Sequence, residues 1–243
     1  MNEELSQVID QQAQAETNGD VIGDVPEPEI CKIQKNTIDI EDLETLKKGN
    51  KLSDAVINCC LWNFRHTLDN IHVNYTNTFF YKKLIRDGNE AASKWIKCKM
   101  SSFAHFLIPV MLHEHWFLID LDFEEKVFNI YDSLRAAPKR QHVVSAIRKF
   151  LVYQGYNGKL KLVYPRCQKQ YNNVDCGVFL LRYAHLIFVD KNVDIKRFNM
   201  ISIMTYRSQL YETLSKYLKD PQKHQIQHSD QESESDIVEI AHI

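Results

Sequence analysis

Between about Thr37 and Leu218 apolar residues recur in two rhythms, one helical and one strand-like. KLSDAVINCCLWNFRHTL sets Val56, Ile57, Cys60, Leu61 and Phe64 on one helix face, with Ser53 or Asp54 placed to cap the first turn. Just before it, TIDIEDLETLKKGN predicts a short strand and then a helix that Gly49 ends. From Phe103 to Ser133 the rhythm changes. FLIPVML, HWFLIDLD and KVFNIYDS are short segments rich in apolar and aromatic residues, with HEH and FEE as turns between them, and they predict a small antiparallel meander. RQHVVSAIRKFLVYQG then reads as an amphipathic helix closed by Gly155, and KLKLVYP as a strand stopped by Pro165. A helix begins at Cys176 and runs to about Phe188, and residues 200–218 form a last amphipathic helix. Helices, a central sheet and helices again predict an α+β domain.

The two ends break the pattern. Residues 1–35 are polar and poor in aromatics, and residues 219–243 are polar, acidic and serine-rich; both read as disordered tails around a domain at 36–218. Residues 1–30 carry eight Asp/Glu and no Lys/Arg, so the overall charge of −2 hides a basic middle. A basic domain suggests an acidic partner, although no nucleic-acid recognition motif is present. The acidic N-terminus lacks the apolar stretch of a signal peptide, and FAHFLIPVML and VFLLRYAHLIFV are too short or too interrupted to span a bilayer. The expectation is a soluble intracellular monomer, nuclear or cytoplasmic, with no membrane or nucleic-acid partner. In that reducing setting the six cysteines are expected as free thiols. Cys59, Cys60, His66 and Cys98 lack the spacing of zinc ligands, and the first three fit a buried helix face.

One cysteine stands apart. QYNNVDCG puts Cys176 where a loop becomes a helix, and the exposed N–H groups and dipole of a helix start lower a thiol's pKa. Gly177 lets the backbone approach a substrate closely. A cysteine nucleophile also needs a base, a group to orient that base, and donors for the oxyanion. His115 opens the strand HWFLIDLD, and Asp132 ends the next one, seventeen residues later. If the two strands form a hairpin, both residues sit at its same open end and meet on one face, as a carboxylate holding an imidazole requires. Gln170, six residues before Cys176, supplies an amide for the oxyanion.

HW, YDSL and QYNNVDCG in that order resemble the SUMO-protease (sentrin-specific, ubiquitin-like protease) family of cysteine peptidases, whose pattern is H-W, a Y-D-S strand and Q-x-N-x-x-D-C-G. Gln170, Asn172, Asp175, Cys176 and Gly177 meet its defining positions. The upstream stretch IDIEDLETLKKGNKLSDAVIN, then NTFFYKKL, KWIK and FLIPVML, are similar to family segments in the same order, so the likeness runs from about Thr37 to Leu218. It implies a papain-like cysteine peptidase fold of the ubiquitin-like-protease type, with a small mixed sheet flanked by helices. It also implies Cys176 as nucleophile, His115 as base, Asp132 as its orienting group and Gln170 in the oxyanion hole. No metal or cofactor is implied. The implied reaction is cleavage after the Gly-Gly tail of a ubiquitin-like modifier, SUMO first, in maturation or deconjugation. Trp116 matches the tryptophan that roofs the Gly-Gly tunnel, and Asp54, Asp175 and Gly177 fall at substrate-binding positions. Where the family has W-L-N-D this chain has KLSD: Lys51 and Ser53 replace Trp and Asn, and one tunnel wall changes.

ESESDIVEI near the end of the chain resembles a SUMO-interacting motif, with Ile237, Val238 and Ile240 beside Ser233, Glu234, Ser235 and Asp236. Two other readings stand beside SUMO cleavage. One is a peptidase for another ubiquitin-like modifier or a Gly-Gly-containing viral or other protein; the other is a pseudoenzyme that binds a modifier without cutting.

Overall fold

A computed structural model describes residues 38–68, 70–135, 140–189 and 200–219. In chain order the elements are α1 (Ile40–Glu44), α2 (Asp54–Thr67), β1 (Val73–Tyr75), α3 (Phe80–Ser93), β2 (His105–Leu112), β3 (His115–Asp122), β4 (Val127–Tyr131), α4 (Gln141–Tyr153), β5 (Lys161–Val163), α5 (Cys176–Val189) and α6 (Met200–Lys219). The tails, including Ile237, Val238 and Ile240, lie outside the described residues.

The five strands form one mixed sheet in the order β1-β2-β3-β4-β5. The expected meander is its antiparallel centre: Ile108 opposes Ile119, and Ile119 opposes Ile130. Short parallel strands extend it at each edge, β1 on β2 and β5 on β4. Every residue of β3 is buried, because helices cover both faces of the sheet. Alternation along the strands divides the core accordingly. Leu107, Leu118 and Tyr131 pack with α2, α5 and α6, while Phe106, Ile119 and Ile130 pack with α3 and α4. Each such side chain contributes about 1.5–3 kcal/mol by leaving water.

Local chemistry explains where the elements start. Ser53 caps α2 by accepting from the Val56 N–H, 3.2 Å away. Among the described residues Ile38 and Asp39 lie in no strand, although one was expected there. Asp39 accepts from the Asp42 N–H at 2.8 Å while the Asp42 carboxylate accepts from the Asp39 N–H, a reciprocal cap that starts a helix at Ile40. That helix stops at Glu44, and Gly49, at φ +92°, closes the turns that follow rather than the helix itself. Gly155, at φ +85°, follows the end of α4, with its own N–H and that of Tyr156 bonded back to Val152 and Leu151. The helix face expected to bury Cys59, Cys60 and His66 buries only the cysteines. His66 is exposed, stacked on Trp62, with its Nδ1 hydrogen-bonded to the Trp62 carbonyl. Among the described residues no cluster of His, Cys, Asp or Glu is arranged to hold a metal, and no helix is long and apolar enough to cross a membrane.

The β2–β3 connection fixes where the second of these strands begins. Leu112 pairs with His115 across a two-residue turn, and both turn residues have positive φ, His113 at 50° and Glu114 at 59°. This is the turn whose twist matches a hairpin, and it favours Asn-Gly. A non-glycine residue held there costs about 1 kcal/mol. Glu114 also pairs with Lys51, but both side chains are too exposed for that bridge to contribute much. Replacing His113–Glu114 by Asn-Gly is therefore expected to raise thermal stability by about 1 kcal/mol, a Tm gain of about 2–4 °C. A Tm at or below that of the parent would show that the turn carries no such strain.

Candidate active site

His115 is the first residue of β3, directly after the tight turn, and Asp132 directly follows the last residue of β4. The two strands are antiparallel, so both residues fall at one end of the sheet. Both are buried, and His115 Nε2 lies 2.7 Å from Asp132 Oδ1. The same oxygen accepts the Leu134 N–H at 2.9 Å, and Oδ2 accepts Nε and Nη2 of Arg140 at 3.3 and 3.1 Å. Burial alone would raise the Asp132 pKa. The His115 ring, the Arg140 charge and the Leu134 N–H outweigh it and hold the carboxyl below its ordinary range.

Cys176 begins α5, which packs along β3 and carries the sulfur to the His115 end. Cys176 is 1% exposed. Burial pushes a thiol up, and it does so at Cys59 and Cys167, both raised to about 11. At Cys176 burial is again the largest single effect. The hydrogen bond to His115, those from the Trp116 and Gly177 backbone N–H groups and the histidine's charge together overcome it, and the thiol is lowered. His115 moves the other way. Burial depresses it, but Asp132 and Cys176 raise it above its ordinary value. With Nε2 committed to Asp132, Nδ1 is the ring nitrogen left to face the sulfur. A lowered thiol beside a raised imidazole is the condition for a thiolate–imidazolium pair.

Gln170 is held against the same strand end. Its backbone N–H reaches the Ser133 carbonyl at 3.0 Å, and its side-chain oxygen accepts the Ser133 hydroxyl. Its amide donates to the Asn172 carbonyl at 2.6 Å, and among the described residues the second amide hydrogen has no partner. Asn172 folds the loop into Cys176: its oxygen accepts the Val174 and Asp175 N–H groups, and its amide meets Asp175 Oδ2 at 2.6 Å. Asp175 Oδ1 meets Arg207 Nη2 at 2.8 Å. Arg207 also donates to the carbonyls of Thr45, Lys47 and Val174, so one buried guanidinium ties α6, the α1 turn and this loop together.

The remaining sequence candidates divide. Trp116 is buried, and its indole N–H points at the Leu52 carbonyl, 3.4 Å away. A Cβ on Gly177 would meet the Leu52 side chain at 3.0–3.1 Å, so packing against Leu52 favours glycine there. Asp175, expected to touch substrate, has both oxygens engaged inside the protein. Asp54 opens α2, and its Oδ1 is buried with no hydrogen-bond partner among the described residues. Lys51 is exposed, with Nζ 2.7 Å from Glu114 and close enough to Cys176 to feel its charge. Sequence reading missed the supports: Ser133, Arg140, Arg207 and Leu52. Only Arg140 left a signal, a basic residue at a helix start where the dipole disfavours it.

Comparison with known proteins places these features in a family. Residues 50–218 match the model described as "Ulp1 protease family, C-terminal catalytic domain". Sentrin-specific protease 5 of Mus musculus is 29% identical over 194 residues, covering 74% of this chain and 24% of its own length. Sentrin-specific protease 3 of the same species is 28% identical over 191 residues, with 74% and 32% covered. The chain thus spans about a quarter to a third of the length of these relatives. The solved structure of SUMO protease Ulp1 with its catalytic cysteine oxidised to a sulfenic acid superposes with a TM-score of 0.68 at 19% identity, covering 90% of this chain and 96% of that one. The C-terminal Ulp1 protease domain in complex with Smt3, the yeast ortholog of SUMO, gives 0.67 at 20%, covering 88% and 95%. The mixed sheet between helical layers is the fold of these domains, and by the match across most of its length the chain belongs to the Ulp1 protease family.

Proposed function

We propose that this chain is a cysteine-type peptidase and isopeptidase that cleaves after the Gly-Gly tail of a ubiquitin-like modifier, with SUMO as the modifier. The observation that carries this reading is a thiol lowered despite burial, beside an imidazole that a buried carboxylate holds. The names of the sentrin-specific relatives and the Ulp1–Smt3 complex support SUMO as the substrate.

In this mechanism the Cys176 thiolate attacks the carbonyl carbon of the terminal glycine. The oxyanion forms beside the free amide hydrogen of Gln170. His115, protonated and steadied by Asp132, gives its proton to the departing lysine amine as the C–N bond breaks. A water molecule then loses a proton to His115 and attacks the thioester, releasing the glycine carboxylate and restoring the thiol–imidazole pair. Trp116 forms a wall for the tail, and the unpartnered Oδ1 of Asp54 accepts a substrate N–H. No metal, cofactor or second subunit takes part, and the enzyme works in the nucleus or cytoplasm without binding nucleic acid or membrane. The tail segment with Ile237, Val238 and Ile240 tethers SUMO and raises its effective concentration. Deleting residues 233–243 should weaken SUMO affinity, and unchanged affinity would reject the tether.

A second reading, another ubiquitin-like modifier, draws on one observation: the Lys51–Glu114 pair stands where family members carry an aromatic wall.

Modifiers ending in an electrophile at the Gly-Gly position decide between these readings. The SUMO probe is expected to form a covalent adduct that EDTA does not affect and that Cys176→Ala abolishes. An adduct with a different modifier alone would select the second reading, and none with any modifier would reject both. The pH dependence follows from the two shifts. A lowered thiol keeps thiolate present below the ordinary thiol pKa of about 8.5, and a raised imidazole stays protonated above about 6.5. Alkylation of Cys176 by iodoacetamide should therefore persist on the acid side of 8.5. His115→Ala should move that limb up by at least about one unit, because it removes the cation opposing burial. Identical limbs in both proteins would mean that His115 does not activate the thiol.

A further inference from the structure

We infer that Arg140 is a positioning residue of this site, which orients Asp132 and sets the pH range in which the Cys176–His115 pair works. The inference rests on the reading of Cys176, His115 and Asp132 given above.

Asp132 divides its two oxygens between different tasks. Oδ1 takes the His115 ring and the Leu134 N–H, whereas among the described residues Oδ2 takes only Arg140, through Nε and Nη2. Two donors from one planar guanidinium converge on Oδ2 and hold it in place, and with Oδ1 held by its own partners this sets the direction in which Oδ1 faces the imidazole. Arg140 is itself held still. It is 4% exposed, and its guanidinium lies over the Phe117 ring, 4.3 Å from the centroid. Phe117 is fully buried two residues beyond His115 on the same strand. The arginine therefore reads its position from β3, which carries the base, and imposes it on the residue that follows β4.

Local helix energetics do not account for an arginine here. Arg140 is the residue before α4, where Ser, Thr, Asp or Asn would accept an N–H bond, and its side chain makes no cap. A cation at a helix start also meets the positive end of the dipole. What the side chain gains is the pair with Asp132.

The charge has a second consequence. A buried cation near the pair favours the deprotonated form of every titrating neighbour. It stabilises the Cys176 thiolate and opposes full protonation of His115. Asp132 alone would draw His115 far towards imidazolium, and Arg140 tempers that pull.

Two substitutions separate charge from geometry. Arg140→Met removes the cation while keeping a long apolar stem over Phe117. Both limbs of the pH profile, the thiolate limb read by iodoacetamide alkylation and the basic limb read by turnover, are expected to move up by about one unit. Arg140→Lys keeps the charge but loses the two-point contact and the planar stack. Its limbs should stay at the wild-type positions while kcat falls about tenfold with KM unchanged. Limbs that do not move in a folded Arg140→Met protein overturn the inference. If the methionine variant fails to fold, the lysine variant decides: a tenfold loss of kcat supports the role, and wild-type kcat rejects it. Wild-type protein without a low-pH thiolate limb would defeat the underlying site reading instead, since alkylation needs no modifier.

Discussion

A carboxylate taken out of water needs a donor for each oxygen, and Asp132 is the carboxylate on which this site depends. It is 4% exposed and meets His115, the Leu134 N–H and the two nitrogens of Arg140. Leaving such a group with one partner missing costs about 3–5 kcal/mol, so its surroundings are under strong constraint. The fold meets that constraint by ending β4 there. One strand end brings the carboxylate to the imidazole at the start of its antiparallel neighbour, and the helix that packs on that neighbour delivers the sulfur.

The following residue extends the same logic to the other arm of the site. Ser133 is buried and bonds Gln170 through both its hydroxyl and its carbonyl. Two consecutive residues thus position His115 and Gln170. On the far side of Cys176, Arg207 performs a comparable task for the loop that leads into that residue. The thiol is consequently low where buried cysteines elsewhere in the domain are high. The difference lies in what faces the sulfur, since burial alone raises all of them.

Much of this was legible in the sequence, and what was not has physical causes. The amphipathic helices α2, α4 and α6 and the meander announce themselves by periodicity, and the motif residues mark the candidate site. β1 is three residues long, too short to show a sustained rhythm. At Asp39 a reciprocal side-chain cap decided for a helix where the apolar alternation suggested a strand. The supports are hidden for another reason. Ser133 meets Gln170 across 37 residues and Asp175 meets Arg207 across 32, and no local pattern encodes such partners. Asp175 and Gly177 show the same limit: the motif marks the positions, but only the packing reveals that one holds Arg207 and the other makes room for Leu52.

The central claim is that Asp132 holds His115 in the state that activates Cys176. The most direct test is the imidazole pKa of His115, followed by NMR in ring-labelled protein, with Asp132→Asn as the comparison. The asparagine keeps the shape and removes the charge that raises the histidine. The account predicts a raised pKa in the wild type and a fall of at least about one unit in the variant. Equal pKa values in the two proteins would contradict it.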